Sequence, residues 1–350
     1  MTKTGEDAVR MPAEWEADGP ILIAWPHADT DWAPMIDEIT ECYVNLAKAL
    51  LKYHPLIIIA PDTSDAREAL TEIDRGENRI LYCDIPTDDT WARDFGPLTV
   101  ETSEGTRLRD FTFNGWGLKF AAANDNMTNR RMKALHALSL PLDNCKRLVL
   151  EGGSVESDGR GTLLTTSRCL LSPNRNPGLS RAEIEEELSR MLGFSHILWL
   201  DHGFLEGDDT DSHVDTLARI APDDTIIYVA PPENPMDPHY RELKAMRHEL
   251  KAMRTPQGTP YHLVALPMAD AVYDTQGQRL PATYANFLVT RHAIFMPVYG
   301  SPQKDSLAAM TVKVAFPDHD IITVDCRALI QQHGSLHCAT MQLPYNSIPL

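Results

Sequence analysis

Four short segments bring reactive side chains to strand ends or tight turns. In Thr90-Trp91-Ala92-Arg93-Asp94-Phe95-Gly96-Pro97 an Arg–Asp pair stands beside a tryptophan and just ahead of a Gly-Pro turn, a place suited to presenting a carboxylate at a pocket mouth. An ordinary surface turn with a local ion pair explains the same residues equally well. In Leu150-Glu151-Gly152-Gly153-Ser154 a carboxylate ends an apolar run and precedes two glycines, which let backbone approach a ligand closely or simply make a turn. In Asp208-Asp209-Thr210-Asp211-Ser212-His213-Val214-Asp215 an extended chain would send His213 and Asp215 to one side, the alternative being a solvated acidic loop. In Gly334-Ser335-Leu336-His337-Cys338-Ala339-Thr340 a thiol follows a glycine-containing turn, although an inert buried cysteine is the default for such a position.

These side chains have one chemistry in common. A guanidinium is planar, permanently cationic and donates hydrogen bonds in fixed directions. Asp94 and Asp215 could pin that plane from two sides, and the Cys338 thiolate, favoured by the bound cation, could attack its central carbon. His213 would then protonate departing ammonia and take a proton from the incoming water. No metal or other cofactor is needed. A calcium loop starting at Asp209 fails, because Val214 and Ile220 occupy the positions that require Gly and Glu. Neither HExxH nor a CxxC pair is present to favour zinc, and G-x-G-x-x-G is absent.

The elements that must position these residues are short and apolar. Ile21–Pro26, Leu56–Pro61, Leu148–Gly153, Ile197–Asp201, Thr225–Pro231, His262–Pro267 and Ile321–Asp325 are rich in Ile and Val and closed by turn formers, which predicts strands. Met35–Tyr53, a segment opened by the Ser180/Glu183 capping box and ending near Gly193, His239–Met253 and Asp305–Phe316 carry helical spacing. Strands and helices alternate, so the class is α/β. With no linker or break in composition, residues 1–350 read as one domain. Pattern leaves a doubly wound sheet, a barrel and a radial repeat open.

Composition narrows the partners. The net charge of −18 argues against nucleic acid and against anionic membrane surfaces, and suits a cationic small molecule. No stretch approaches the roughly 20 apolar residues of a membrane-spanning helix. The N-terminal MTKTGEDAVR lacks a signal-peptide core, so the expected setting is cytoplasmic. The six cysteines are scattered and read as free thiols.

Taken in order, Met11-Pro12-Ala13-Glu14-Trp15-Glu16, the Trp25-Pro26 strand end, Trp91-x-Arg93-Asp94-x-Gly96-Pro97, Phe113-Asn114-x-Trp116-Gly117, Leu150-Glu151-Gly152-Gly153-Ser154, Leu171-x-Pro173-Asn174-Arg175-Asn176-Pro177, His213-Val214-Asp215 and His337-Cys338 resemble the agmatine deiminases and the wider family that includes bacterial-type peptidylarginine deiminases. The resemblance runs from residue 11 to about 344. It implies a five-bladed α/β propeller of pseudo-symmetric ββαβ units around a central active-site channel. It also implies Cys338 as nucleophile, His213 as general acid/base, Asp94 and Asp215 on the guanidinium, and Glu151 positioning His213 or the substrate. Trp91 would line the channel, and Asn286 in Tyr284-Ala285-Asn286-Phe287 matches a family segment. The chain departs from the family where glycines are common, at Ser212 and in His333-Gly334-Ser335-Leu336, which restricts the backbone beside both reactive residues.

The leading expectation is hydrolysis of agmatine to N-carbamoylputrescine and ammonia, a step towards putrescine, with the acids before His213 meeting the amine tail and Asp209 as the tail residue. Free arginine would need a cation for its carboxylate, for which Arg93 is the candidate, though a structural ion pair with Asp94 explains it equally. Peptidylarginine deimination is the runner-up, followed by an amidinotransferase and a non-catalytic guanidine-binding protein. Family analogy adds a homo-oligomer.

Overall fold

The computed structural model describes residues 9–349, so the N-terminal eight residues used in the leader reading lie outside the described residues. Among the described residues, five sheets repeat one arrangement of strands. Leu98–Thr102 pairs antiparallel with Gly105–Thr112, which pairs parallel with Leu142–Val149. Glu156–Ser157, Thr162–Thr166 and His196–Leu200 repeat that order, as do Ala218–Ala221, Thr225–Val229 and His262–Leu266, and Leu288–Val289, Ala293–Val298 and Asp320–Asp325. In the remaining sheet Met341–Gln342, from the end of the chain, pairs antiparallel with Ile21–Ala24, which continues in parallel to Leu56–Ala60 and Ile80–Asp84. A two-stranded hairpin joins Val272–Tyr273 to Arg279–Leu280.

Parallel neighbours cannot be joined by a tight turn, so a helix spans each crossover. The helices are Ile36–Leu50, Thr128–Ala134, Arg181–Leu192, Tyr240–Ala252 and Pro302–Ala315, one in each sheet, with Ser64–Ala69 serving the second crossover of the sheet that begins at Ile21. Three of the apolar runs become middle strands, Ile21–Ala24, Leu56–Ala60 and Thr225–Val229, and these are buried at every position, while the other four form the last strand of their sheets. The helix from Arg181 starts with the reciprocal Ser180/Glu183 box and stops at Gly193, at φ 82°.

Strands missed by the apolar-run criterion are the leading partners, such as Leu98–Thr102, together with the middle strands Gly105–Thr112, Thr162–Thr166 and Ala293–Val298 and the edge strand Ile80–Asp84. The expected Leu148–Gly153 strand ends earlier, at Val149, and Gly152–Ser154 is a single 3₁₀ turn. The extended conformation expected for 213–215 is also corrected. His213 is extended (φ −52°, ψ 138°), but Val214–Thr216 is a 3₁₀ turn.

Candidate active site

The expected reactive residues sit in the segments that enter the leading strands of five sheets, His213 and Asp215 sharing one. Asp94 lies in the short helix Ala92–Phe95 before Leu98, Glu151 before Glu156, His213 and Asp215 before Ala218, Asn286 before Leu288 and Cys338 before Met341. The repeated architecture thus brings together residues up to 244 positions apart, as the Arg93 Nε contact to the His337 carbonyl illustrates at 3.4 Å. All six are buried.

Gly153 is the point where three of them converge. Its N–H donates to Asp94 Oδ1 at 2.9 Å. A Cβ on it would lie 2.6 Å from His213 Nδ1, 2.9 Å from Asp94 Oδ1 and 3.1 Å from Asp215 Oδ2, so only glycine fits. His213 stands between two carboxylates, with Nδ1 3.6 Å from Asp94 Oδ1 and Nε2 3.9 Å from Glu151 Oε2. Cys338 Sγ is 3.8 Å from Asp215 Oδ2 and accepts from Asn286 Nδ2 at 3.3 Å. Asn286 Nδ2 also reaches Asp215 Oδ2 at 3.1 Å, and its Oδ1 receives the His337 N–H at 3.0 Å.

Several further residues complete the site, and four of them, Glu14, Trp116, Arg175 and His337, stand in the family segments without an individual role. Trp116 Nε1 donates to Asp94 Oδ2 at 2.9 Å. It is held in a left-handed turn in which Gly115, Trp116, Gly117 and Leu118 all have positive φ. Arg175 aims Nε at both Glu151 oxygens, at 2.9 and 3.0 Å, and Nη1 at Asp211 Oδ2, at 2.6 Å. His337 bridges Asp215 Oδ2 at 2.7 Å and Glu14 Oε1 at 2.6 Å, and Glu14 in turn receives Arg219 Nη2 at 2.8 Å. Trp116, Arg175 and Glu14 offered no signal beyond their segments, because each acts through partners remote in sequence.

Arg93 corrects an expectation. It is buried with its Nη1 3.1 Å from Glu14 Oε1 and its Nη2 donating to Gln342 Oε1 at 2.6 Å, and it does not line the cavity at Cys338. A cation committed to protein acceptors is not available to a substrate carboxylate. The solvated-loop alternative for 208–215 is likewise replaced, since Ser212, His213 and Asp215 are buried.

The charges of the site follow from burial and neighbours. Burial disfavours charge on His213, yet Asp94, Cys169 and Glu151 outweigh it and hold the imidazole well above its usual range. Burial, with Asp215 and Asp94, pushes the Cys338 thiol well up, so the free site holds a thiol beside an imidazolium. Asp94 is raised by burial against the pull of His213. For Asp215 burial is outweighed by the hydrogen bond and charge of His337, which lower it. Asp215 Oδ1 and both ring nitrogens of His213 are buried without a hydrogen-bond partner among the described residues. Such groups are costly unless a ligand supplies the partner.

Two trios of metal-type ligands occur, Glu151/Cys169/His213 and Glu14/Glu156/His337. Each already meets a guanidinium, from Arg175 and Arg219 respectively, so the donor sets do not fit a metal ion.

Above Cys338 opens a cavity of about 220 Å³ walled by Trp91, Trp116 and Phe120. Gly334 packs under the Trp91 ring, where a Cβ would come within 2.3 Å. Asp31, Asp89, Asp94, Asp208 and Asp209 line it, and no Lys or Arg is among the described lining residues. The arrangement fits a planar cation held edge-on by carboxylates with a thiol facing its carbon.

A family model described as Porphyromonas-type peptidyl-arginine deiminase matches residues 10–344. An agmatine deiminase of Pseudomonas aeruginosa is 32% identical, over 97% of this chain and 96% of its own. A crystal structure from Porphyromonas gingivalis with a provisional arginine deiminase name is 46% identical, with TM-score 0.91, over 97% of this chain and 100% of its own. A C. jejuni agmatine deiminase, a cysteine-to-serine variant with substrate bound, is 34% identical with TM-score 0.89, over 100% and 99% of the two chains.

Proposed function

The chain belongs to the Porphyromonas-type peptidyl-arginine deiminase family, and from that premise we propose that it is an agmatine deiminase, hydrolysing agmatine to N-carbamoylputrescine and ammonia, a step in putrescine biosynthesis. The observation that carries this reading is the cavity itself, in which the Cys338 thiol sits among five carboxylates with no Lys or Arg among the described lining residues. A doubly cationic substrate suits such a wall, and the carboxylate of free arginine does not.

Asp94 and the unpartnered Asp215 Oδ1 receive the guanidinium N–H groups. The arriving cation offsets the two carboxylates that keep Cys338 protonated, so the thiol proton is released to solvent and the thiolate attacks the guanidinium carbon. His213 then gives its proton to the leaving nitrogen, ammonia departs, and an amidino-thioether remains on Cys338. The neutral His213 takes a proton from water, hydroxide adds to the same carbon, and collapse expels the thiolate and the urea product. Glu151, fixed by Arg175, orients His213. Trp91 is the wall along which the aliphatic chain lies, and Asn286 steadies the thiolate and Asp215. Beyond Asp94, the carboxylates that line the cavity, Asp31, Asp89, Asp208 and Asp209, are the acids from which the tail partner is drawn.

The five sheets, each sending its leading-strand entry to the site, support a five-bladed α/β propeller in one domain. No helix among the described residues is long and apolar enough to cross a membrane. We further read the enzyme as cytoplasmic and homo-oligomeric by analogy with its family.

Peptidylarginine deimination is the second reading, favoured by the family description. Ammonia release from agmatine, free arginine and a blocked arginine peptide, measured in parallel, separates the two. Faster turnover of the peptide would reject the first. Cys338→Ala is expected to abolish turnover while agmatine still binds, checked by ammonia assay and calorimetry. A chelator is expected to leave kcat unchanged, and loss of activity on chelation would revive a metal.

A further inference from the structure

The acidic run around His213 looks in the sequence like the natural partner of a substrate amine, but in the fold its cavity-side acids already hold partners. Asp211 accepts from Lys119 Nζ at 2.7 Å and from Arg175 Nη1 at 2.6 Å. Asp208 is occupied by Thr210 N at 3.1 Å, Thr210 Oγ1 at 2.5 Å and Ser212 N at 2.6 Å. Asp209 faces His333, whose Nδ1 is 3.6 Å from its Oδ2, and its carbonyl takes Lys119 Nζ at 2.7 Å.

The opposite wall differs. Asp31 and Asp89 line the cavity and form no ion pair with Lys, Arg or His among the described residues. Asp89 accepts from the Thr90 N–H at 2.7 Å and its hydroxyl at 3.4 Å, with Trp91 as a further donor, and no Lys, Arg or His among the described residues pairs with it. The groups packed behind it are also acids. Asp88 takes Asn124 N and Nδ2, and buried Asp125 takes the Asp88 N–H and leaves Oδ2 unpartnered.

We propose that Asp89, backed by Asp31, is the residue that binds the amine end of the substrate, on the wall that carries Trp91, and that Asp209 is not. The assignment rests on the agmatine reading above and narrows it. A carboxylate that is desolvated and uncompensated in the free enzyme gains more from an incoming ammonium than one already facing an imidazole. Asp89 lies two residues before Trp91 and five before Asp94, so one loop would grip the substrate at both ends.

The pH dependence follows. Burial pushes Asp89 up to about 6, the Thr90 N–H opposing and Asp31 adding to the rise. The titratable groups facing it are Asp31, Asp88 and Asp125 on its own side and Asp94, Cys338, His333, Asp208 and Asp209 across the cavity. Above pH 6 Asp89 is charged and binds the ammonium; below it the tail contact is lost.

The test compares the KM of agmatine with the Ki of n-butylguanidine, which keeps the guanidinium and lacks the amine, so that shared effects cancel in the ratio. In Asp89→Asn the ratio is expected to rise about tenfold. In the unmodified enzyme it should fall as pH rises through about 6, a measurement that does not depend on the variant folding. A ratio unchanged in Asp89→Asn together with no step near pH 6, or a larger rise in Asp209→Asn, overturns the assignment. Absence of agmatine turnover in the unmodified enzyme removes the agmatine reading itself, an outcome distinguishable from either.

Discussion

At the scale of the residue, the site is defined by atoms held without partners. Asp215 spends Oδ2 on His337 and Asn286 and keeps Oδ1 free, while His213 is flanked at 3.6 and 3.9 Å by carboxylates too distant to satisfy its ring. This spacing depends on Gly153. Gly153→Ala would drive a methyl into His213 and Asp94, and is expected to lower kcat about a hundredfold, read from steady-state ammonia release. Near-normal kcat in that variant would mean the three side chains need no such approach. Asp94, Glu151, His213, Asp215 and Cys338 were legible in the sequence because each stands beside a turn or strand end. Arg93 was misread, since its proximity to Asp94 in the chain says nothing about which way a buried guanidinium turns.

At the scale of the element, short non-repetitive segments do the positioning, and they rely on unusual backbone. Ser212 and His333, where glycines were expected, adopt φ 65° and 66°, so the left-handed conformation is kept and the strain of a side chain is added. Ser212 carries the restriction just before His213. What holds this loop is Arg175, whose guanidinium joins Glu151, Asp211 and the Thr210 carbonyl. Arg175→Ala should therefore destabilise the fold by about 3 kcal/mol or more, because it strands the buried Glu151 carboxylate. Urea unfolding would measure this, and a loss below about 1 kcal/mol would show that the clamp is dispensable. The strands made of unbroken apolar runs, such as Leu56–Ala60 and Thr225–Val229, and the long helices were readable from periodicity, whereas the middle strands Gly105–Thr112, Thr162–Thr166 and Ala293–Val298 were not. The leading strands were not, being as short as two residues and bounded by the very turns that carry the site.

At the scale of the whole molecule, the ends of the chain meet in one sheet, since Met341–Gln342 pairs with Ile21–Ala24 and brings Cys338 to residues drawn from the other four. The charge of −18 also acts at this scale. A negative field concentrated at the cavity should speed capture of a dication, so kcat/KM for agmatine is expected to fall several-fold between low and about 0.5 M salt while kcat changes little. Salt-independent kcat/KM would remove steering. The sequence by itself determined the α/β class and singled out the candidate reactive residues, because these follow from local periodicity and from what each side chain can do. The tertiary structure decided which charges remain free. Six acids stand between Asp201 and Asp215, yet Asp211 is taken by Lys119 and Arg175 from elsewhere in the chain, whereas Asp31 and Asp89, unremarkable in the sequence, line the cavity with no ion pair among the described residues. Compensation of a charge depends on distance in space, and no local pattern encodes it.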